Sequence, residues 1–267
     1  MEVHNSYDLI EETLKGFTRS KIRTIVMLCL KNGEKKVGDL EYEMNTRASS
    51  ILHVIKDMRK AKLINKSADN YKLTNIGRIQ ALLLDDLIQA IITINTHEEF
   101  WLSHDLSGIP DELQRKIWML CQSEIITGDP VAPLKSLDYF IETLINSKII
   151  SGVSPIVAPG FSEVITASVE KGTKVDLILT NSVFDIIYKE NYDLLNALLK
   201  YENFRLYRIS MDVKVAFTVT ESFLNMGLFR LNGSYDIEND LVCFGEKSIL
   251  WGMELFNYYK NMSYLIK

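Results

Sequence analysis

The residues best suited to meeting a polyanion lie on one short stretch of the chain. Between residues 46 and 60 the apolar side chains Ile51, Val54, Ile55 and Met58 recur at spacings of three, four and seven. That spacing makes one buried helical stripe. At about 100° per residue, Thr46, Ser49, His53, Lys56 and Lys60 then fall on the opposite side, with Arg47 and Ser50 beside its start. This outward face is small, polar or basic and carries no carboxylate, with Asp57 falling to its flank. Ser, Thr and His reach base edges, and Lys reaches phosphates or guanine. Lys66, Asn70 and Lys72 follow closely and supply donors of the kind that meet backbone or minor groove. The competing reading is a solvated helix face in a module that docks on protein.

The elements that must position this face follow from the flanking sequence. Residues 20–31 form a helix with a broad apolar side, stopped by Asn32-Gly33. Residues 37–45 form a short second helix, and Thr46 opens the third. Residues 63–66 and 71–73 are short extended pieces around Ser67-Ala68-Asp69-Asn70, a hairpin pattern. Thr74 is placed to cap a long helix starting near Asn75, with Ile76, Ile79, Leu83, Leu87 and Ile91 expected to face inward. Helix, short helix, helix, hairpin is the order of a winged helix-turn-helix, whose third helix lies in the major groove. Winged helices of this type usually place Gly just before the Leu-Ile that opens the wing. Here that position holds Lys62, and a left-handed Lys costs about 1 kcal/mol.

Composition agrees with two modules. The 267 residues are 47% hydrophobic and 24% charged, a globular balance that excludes a disordered tail, a collagen-like rod and a bare coiled coil. The formal charge of −5 excludes a basic nucleic-acid coat. Residues 1–74 hold 14 Lys and Arg against 10 Asp and Glu, a net of +4, which leaves −9 on the remainder. Prolines occur only at 110, 130, 133, 155 and 159, so the first part suits a run of helices. Residues 1–8 lack a signal-peptide pattern, and the apolar stretch 81–94 is interrupted by Asp85, Asp86 and Gln89. A soluble, cytoplasmic protein is expected.

Other chemistry finds little support. His97 and His104 flank Phe100 and Trp101, with Glu98, Glu99 and Asp105 nearby, and these could form a metal site. The spacing is loose, and His104-Asp105 as a capping or interdomain hydrogen-bond pair is the better reading. His4 and His53 stand apart. Cys29, Cys121 and Cys243 are widely spaced in apolar surroundings and read as core thiols, Cys121 being the one at a helix end. No P-loop, dinucleotide fingerprint or nucleophile elbow occurs. No metal, cofactor or catalytic residue is implied, and the chain is not expected to be an enzyme.

Beyond residue 98 the rhythm changes. Helices are expected at 111–120, 134–147, 162–171, 185–201 and 248–259, and strands at 149–157, 174–180, 204–209, 213–219, 227–229 and 241–244. Strand 149–157, helix 162–171 and strand 174–180 form a βαβ unit with a parallel pair. A ligand would sit at the carboxyl ends of the parallel strands, where Ser154, Thr180, Asn181 and Lys214 are expected.

The segments FWLSHDLSGIPDELQRKI, IISGVSPIVAPGFSEVITASVEKGTKVDLILT and VKVAFTVTESFLNMGLFRLNGSYD resemble the C-terminal domain of the FilR-type regulators of methanogenic archaea. SSILHVIKDM is similar to that family's recognition helix, which lies in an ArsR-like winged helix. The resemblance runs along nearly the whole chain and implies a transcriptional regulator, without supplying a ligand. More distantly, the order leading through Lys214 to Gly227 is similar to a phospholipase D half-domain. That motif is His-x-Lys, and here Asp212 stands in place of the His, so the nucleophile is missing.

The expected architecture is an α+β winged helix-turn-helix over residues 1–74, a linker and dimerisation helix over 75–98, and an α/β sandwich over 99–267, of degenerate phospholipase D-like form by the more distant resemblance. The expected function is binding of double-stranded DNA by a homodimer. Its second domain would answer a small-molecule or protein effector and shift the spacing of the two winged helices. Leu82, Leu83, Leu84, Leu87, Ile88 and Ile91 would serve partly as the subunit interface. The rivals are a protein-docking module and a phosphodiesterase-type enzyme dependent on Lys214.

Overall fold

The computed structural model describes residues 3–128 and 135–266. Leu134, Pro130 and Pro133 lie outside the described residues, as does the side chain of His4. The chain divides into two compact units, Met1–Ile88 and Gln89–Lys267.

The first unit contains α1 (Val3–Thr18), α2 (Lys21–Lys31), β1 (Lys35–Lys36), α3 (Val37–Met44), α4 (Ala48–Lys60), β2 (Ile64–Ser67), β3 (Asn70–Leu73) and the start of α5 (Asn75–Thr96). Ser20 caps α2 by accepting a hydrogen bond from the Arg23 amide at 3.3 Å. Asn45 ends α3 in a left-handed conformation at φ 44°, which turns the chain towards α4. Val26, Met27 and Leu30 of α2, Leu40 of α3 and Ile51, Ile55 and Met58 of α4 form the core with Tyr71, Ala81 and Leu84. The hairpin has a two-residue turn between Ser67 and Asn70, and β1 adds a third strand to it along β3. A two-residue strand has no period to read, so the sequence pattern does not reveal β1.

Lys62 has φ 60°. Its amide donates to the Arg59 carbonyl and the Leu63 amide donates to the Met58 carbonyl, at 3.0 and 2.9 Å. These are the two bonds of a Schellman motif, with Leu63 and Met58 buried together as its apolar contact. Thr74 then ties the wing to α5. Its hydroxyl donates to the Lys62 carbonyl at 2.8 Å and accepts from the Gly77 amide at 3.0 Å. A Cβ on Gly77 would lie 2.2 Å from the Leu63 carbonyl oxygen, so only glycine lets α5 approach so closely.

Three features depart from the sequence pattern. α4 begins at Ala48, and Thr46 sits in the preceding turn with its hydroxyl on the Met44 carbonyl. The expected inward set on α5 is reversed: Ile76, Ile79, Leu83, Leu87 and Ile91 are 48–65% exposed. Gly77, Ala81 and Leu84 are buried instead, because the close approach at Gly77 selects the face with the smallest side chains. α5 keeps to the expected range, but where the stretch 81–94 alone is too short and polar to span a bilayer, an 18-residue window of the helix reaches a mean hydropathy of 1.2, enough by length and composition to cross a membrane. Its first half is nevertheless held to the winged helix, by those buried residues and by the Lys31–Asp85 ion pair.

The second unit contains the end of α5, α6 (Glu98–Ser103), β4 (His104–Asp105), α7 (Asp111–Gln114), a 3-10 turn (Ile117–Leu120), β5 (Ser123–Thr127), α8 (Lys135–Leu144), β6 (Ile149–Ser154), α9 (Phe161–Glu170) and β7 (Lys174–Thr180). It continues with α10 (Asn181–Glu190), α11 (Tyr192–Leu198), β8 (Phe204–Ile209), β9 (Val215–Thr220), β10 (Phe223–Arg230), β11 (Asn239–Phe244), α12 (Glu246–Asn261) and β12 (Tyr264–Leu265). The sheet runs β12-β8-β7-β6-β9-β10-β11-β5, with β4 beside β10. β6, β7 and β8 are parallel, and β9 returns antiparallel to β6. One face packs on Trp251, Leu255, Phe256 and Tyr259 of α12. The other packs on α8 to α11 through residues such as Leu144, Val169, Val183 and Leu195. Helices on both faces of a mixed sheet make this unit an α/β sandwich.

The extended piece at 149–157 stops at Ser154, whose hydroxyl donates to the Ile156 carbonyl at 2.7 Å and turns the chain before α9. The helix expected at 111–120 breaks into α7 and the 3-10 turn, and that at 185–201 into α10 and α11. β5 lies at the sheet edge on β11.

Replacing Lys62 by glycine relieves the left-handed strain and should stabilise the first unit by about 1 kcal/mol. Replacing Gly77 by alanine forces α5 off the wing and should destabilise it. A shift of the urea midpoint measures both. A Lys62→Gly variant that unfolds at lower urea would refute the strain argument.

Candidate nucleic-acid interface and ligand cavity

The outward face of α4 is fixed by what lies beneath it. With Ile51, Ile55 and Met58 buried, Ser49, His53, Lys56 and Lys60 stand exposed, and so does Arg47 at the helix N-cap. Ser50 and Thr46 are half-buried. Two residues on or beside this surface were not singled out by pattern, and a third, Asp57, is placed differently. Leu52 is exposed and adds an apolar group able to meet a thymine methyl. Glu41 caps α4 from α3, accepting the Ala48 amide at 3.0 Å. Asp57 lies closer to the face than its flank position implies, 3.7 Å from His53 Nε2 and 3.6 Å from Lys60 Nζ. The face is therefore not free of carboxylate influence, because i,i+3 and i,i+4 neighbours meet on a helix surface.

On the wing, Lys66 and Lys72 are exposed, with Lys66 Nζ 5.8 Å from the Tyr71 ring centroid. Asn70 is half-buried and engaged at the surface with Glu34, to which its side-chain amide donates at 3.1 Å.

In the second unit, the four residues expected at a ligand site do not converge. Thr180 is buried beside the Ser182 hydroxyl. Asn181 accepts from Arg208 Nε at 2.6 Å. Lys214 pairs with Asp212 at 2.8 Å and rests over the Phe229 ring. Of the four, only Ser154 lines a cavity over the sheet. The reason is geometric: Thr180 and Asn181 lie one strand further across the sheet, and Lys214 is engaged at the start of β9.

That cavity has a volume of about 270 Å³ and lies over the sheet at the end of β6, beneath the chain 156–161. Gly152 leaves its floor open; a Cβ there would come within 3.1 Å of Thr218 Oγ1 and 3.2 Å of Leu177 Cδ2. Its polar end is formed by Asn225, Tyr235 and Asp240. A Cβ on Gly227 would fall 2.0 Å from the Tyr235 hydroxyl oxygen and 2.7 Å from Asp240 Oδ1, so both oxygens converge on that glycine. Burial pushes the Asp240 carboxyl up to about 6, against a hydrogen bond from Asn225 that favours its charge. Burial and the nearby Asp240 and Asp236 also hold the Tyr235 phenol well above its ordinary value.

His104 does not pair with its neighbour. Its Nε2 lies 3.1 Å from Asp236 Oδ2, and its Nδ1 lies 2.6 Å from the Phe100 carbonyl. Asp105 instead accepts the Ser107 amide at 2.9 Å. The partner is 132 positions away, beyond what local spacing can reveal. Burial opposes the Asp236 charge, yet Arg230, Asn239 and the Glu238 amide outweigh it and hold its pKa below the usual value. His97 is bonded to Ser123 at 2.9 Å. Among the described residues no group of three or more His, Cys, Asp and Glu is placed to hold a metal. Cys243 is buried, whereas Cys29 and Cys121 are half-buried and also unbridged.

The family model described as the N-terminal domain of methanogenesis regulatory protein FilR1 matches residues 11–92, and that for its middle domain matches residues 133–262. The chain belongs to the FilR1 family. The methanogenesis regulatory protein FilR1 of Methanothrix harundinacea (strain 6Ac) is 37% identical over 255 residues, which is 94% of this chain and 57% of that protein. The present member thus spans a little over half the length of that FilR1 relative. That relative is described as a regulatory protein. Among solved structures, the archaeal chromatin protein TrmBL2 aligns at a TM-score of 0.44 and 12% identity, over 97% of this chain and 100% of its own. The phospholipase D family member Nuc from Salmonella typhimurium aligns at a TM-score of 0.40 and 12% identity, over 54% of this chain and 99% of its own. Neither score bears on what this FilR1-family chain binds.

The raised Asp240 pKa has a defined consequence. The folded chain keeps a proton there that the unfolded chain loses above its ordinary value of 3.8. Stability therefore falls as pH rises from about 4 to about 6, and the cost is complete above that. Asp240→Asn, which is neutral throughout, should gain up to about 3 kcal/mol at pH 8 and almost nothing at pH 4. Thermal unfolding of both proteins across that range tests it; an equal gain at both ends would refute the buried-charge account.

Proposed function

We propose that this chain is a cytoplasmic, DNA-binding transcriptional regulator that works as a homodimer, with a second unit that answers a bound molecule. The observation that carries the reading is the exposed face of α4, where Arg47, Ser49, His53, Lys56 and Lys60 stand out from a winged helix. Ser50 and Thr46 edge that face, and Lys66, Lys72 and Asn70 belong to the wing beside it. In a winged helix the third helix enters the major groove and its first turns reach base edges. Lys60 at its end and the wing lysines would meet phosphate. The name of the M. harundinacea relative, a methanogenesis regulatory protein, supports a regulatory role.

A dimer is supported by α5. Ile76, Ile79, Leu83 and Leu87 recur every three or four residues and are exposed. Such a seam is costly in water, and a second copy of the helix would cover it. Two winged helices held by such a dimer read half-sites about one helical turn apart. In the second unit Ser154 is the expected ligand residue that also lines the cavity, and the effector role is assigned there.

Titration of the duplex upstream of the chain's own gene, at several salt concentrations, tests the reading. Lys56→Ala should weaken binding and reduce the salt slope by about 0.9 for each phosphate that the lysine neutralises. His53→Ala should relax sequence preference with little change of slope. Asp57→Asn should tighten binding several-fold, since it removes the carboxylate beside His53 and Lys60. Salt-independent binding, or none, would instead favour a protein-docking winged helix. For the dimer, sedimentation should show two copies for the parent and one for Leu83→Glu with Leu87→Glu; a monomeric parent at micromolar concentration defeats it.

A further inference from the structure

The cavity in the second unit has a polar end whose chemistry is one-sided. Asn225 and Asp240 are both more than nine-tenths buried and both line it. Asn225 Oδ1 is buried and has no hydrogen-bond partner among the described residues. An orphaned buried carbonyl oxygen is destabilising, and Asn225 stands beside a buried carboxylate. Both groups accept hydrogen bonds, and the Tyr235 hydroxyl at the same end is neutral. Among the described residues no Lys, Arg or His lines the cavity, so it offers an anion no opposite charge. The remaining wall is apolar and includes Phe140, Val157, Phe161 and Leu177.

We propose that this cavity binds a small primary amine with an apolar body, its ammonium group donating to Asp240 and Asn225 Oδ1. An ammonium group has three donors and no acceptor, which matches two converging acceptors. It also supplies the opposite charge that a buried carboxylate otherwise lacks. A neutral alcohol could satisfy Asn225 but would leave the carboxylate uncompensated. A carboxylate or phosphate ligand would add a second negative charge beside Asp240. Size is bounded as well. A cavity of about 150 Å³ takes benzene, so about 270 Å³ suits a molecule of roughly ten heavy atoms. As an effector site the cavity deepens the regulatory reading and rests on it in that role; the binding itself does not.

The test uses the full chain and three probes of nearly equal size: 2-phenylethylamine, 2-phenylethanol and 3-phenylpropionate. Calorimetric titration at pH 7.5 should show saturable binding of the amine at least tenfold tighter than that of the alcohol, and none of the carboxylate. Asp240→Asn should remove the preference for amine over alcohol. Ala216→Phe, which fills the cavity from β9 opposite Gly227, should abolish binding of both. An amine that binds no tighter than the alcohol, or a preference that survives Asp240→Asn, overturns the proposal. Retained amine binding in a folded Ala216→Phe variant does so too. Duplex binding measured on the same protein separates the two readings. If the chain binds duplex but none of the probes, the cavity assignment alone falls. If the amine binds as described but the chain never binds duplex, the cavity assignment stands and the regulator falls.

Discussion

Burial of Ile51, Ile55 and Met58 on one side of α4 is the constraint from which the proposed DNA face follows. A helix that commits three large side chains to a core cannot rotate, so the polar and basic positions opposite them must meet solvent. The same core holds α4 against α2 and the wing. At the far end of α4 the Schellman turn at Lys62 hands the chain to β2, and Thr74 brings it back beneath α5. The geometry of helix and wing is thus set by one apolar stripe and one capped turn. The Glu41 carboxylate adds a cap at the start of α4.

The second unit handles its buried acids in two ways. Asp236 is surrounded by donors from Arg230, Asn239 and the Glu238 amide and faces His104, so its charge is compensated. Asp240 lies close by in sequence, on β11, with Asn225 as its hydrogen-bond donor and no cation among the described residues of the cavity it lines. A buried carboxylate without a cation is an energetic liability unless something else supplies the charge. The contrast between the two explains why the polar end of the cavity, and not the His104 network, is where a ligand would be stabilising.

Lys214 is satisfied within its own surroundings. Asp212 holds it at 2.8 Å and Phe229 lies beneath it. That engagement keeps it from the cavity at which it was expected.

Local pattern determined a good deal of this protein. The winged-helix order, the α4 stripe, the strained Lys62, the Thr74 cap and the βαβ unit all rest on near neighbours, whose spacing obeys helix and strand periods. Tertiary structure decided the rest, for reasons that spacing cannot carry. α5 is apolar on several sides, so periodicity could not choose its buried face; contact between Gly77 and the Leu63 carbonyl chose it. His104 found its partner across the sheet at Asp236 instead of next door at Asp105. The cavity drew Ser154, Asn225, Tyr235 and Asp240 from separate segments and left Thr180, Asn181 and Lys214 outside. A site assembled by strand pairing depends on register and strand order. These are properties of the folded sheet and leave no mark in any short window of sequence.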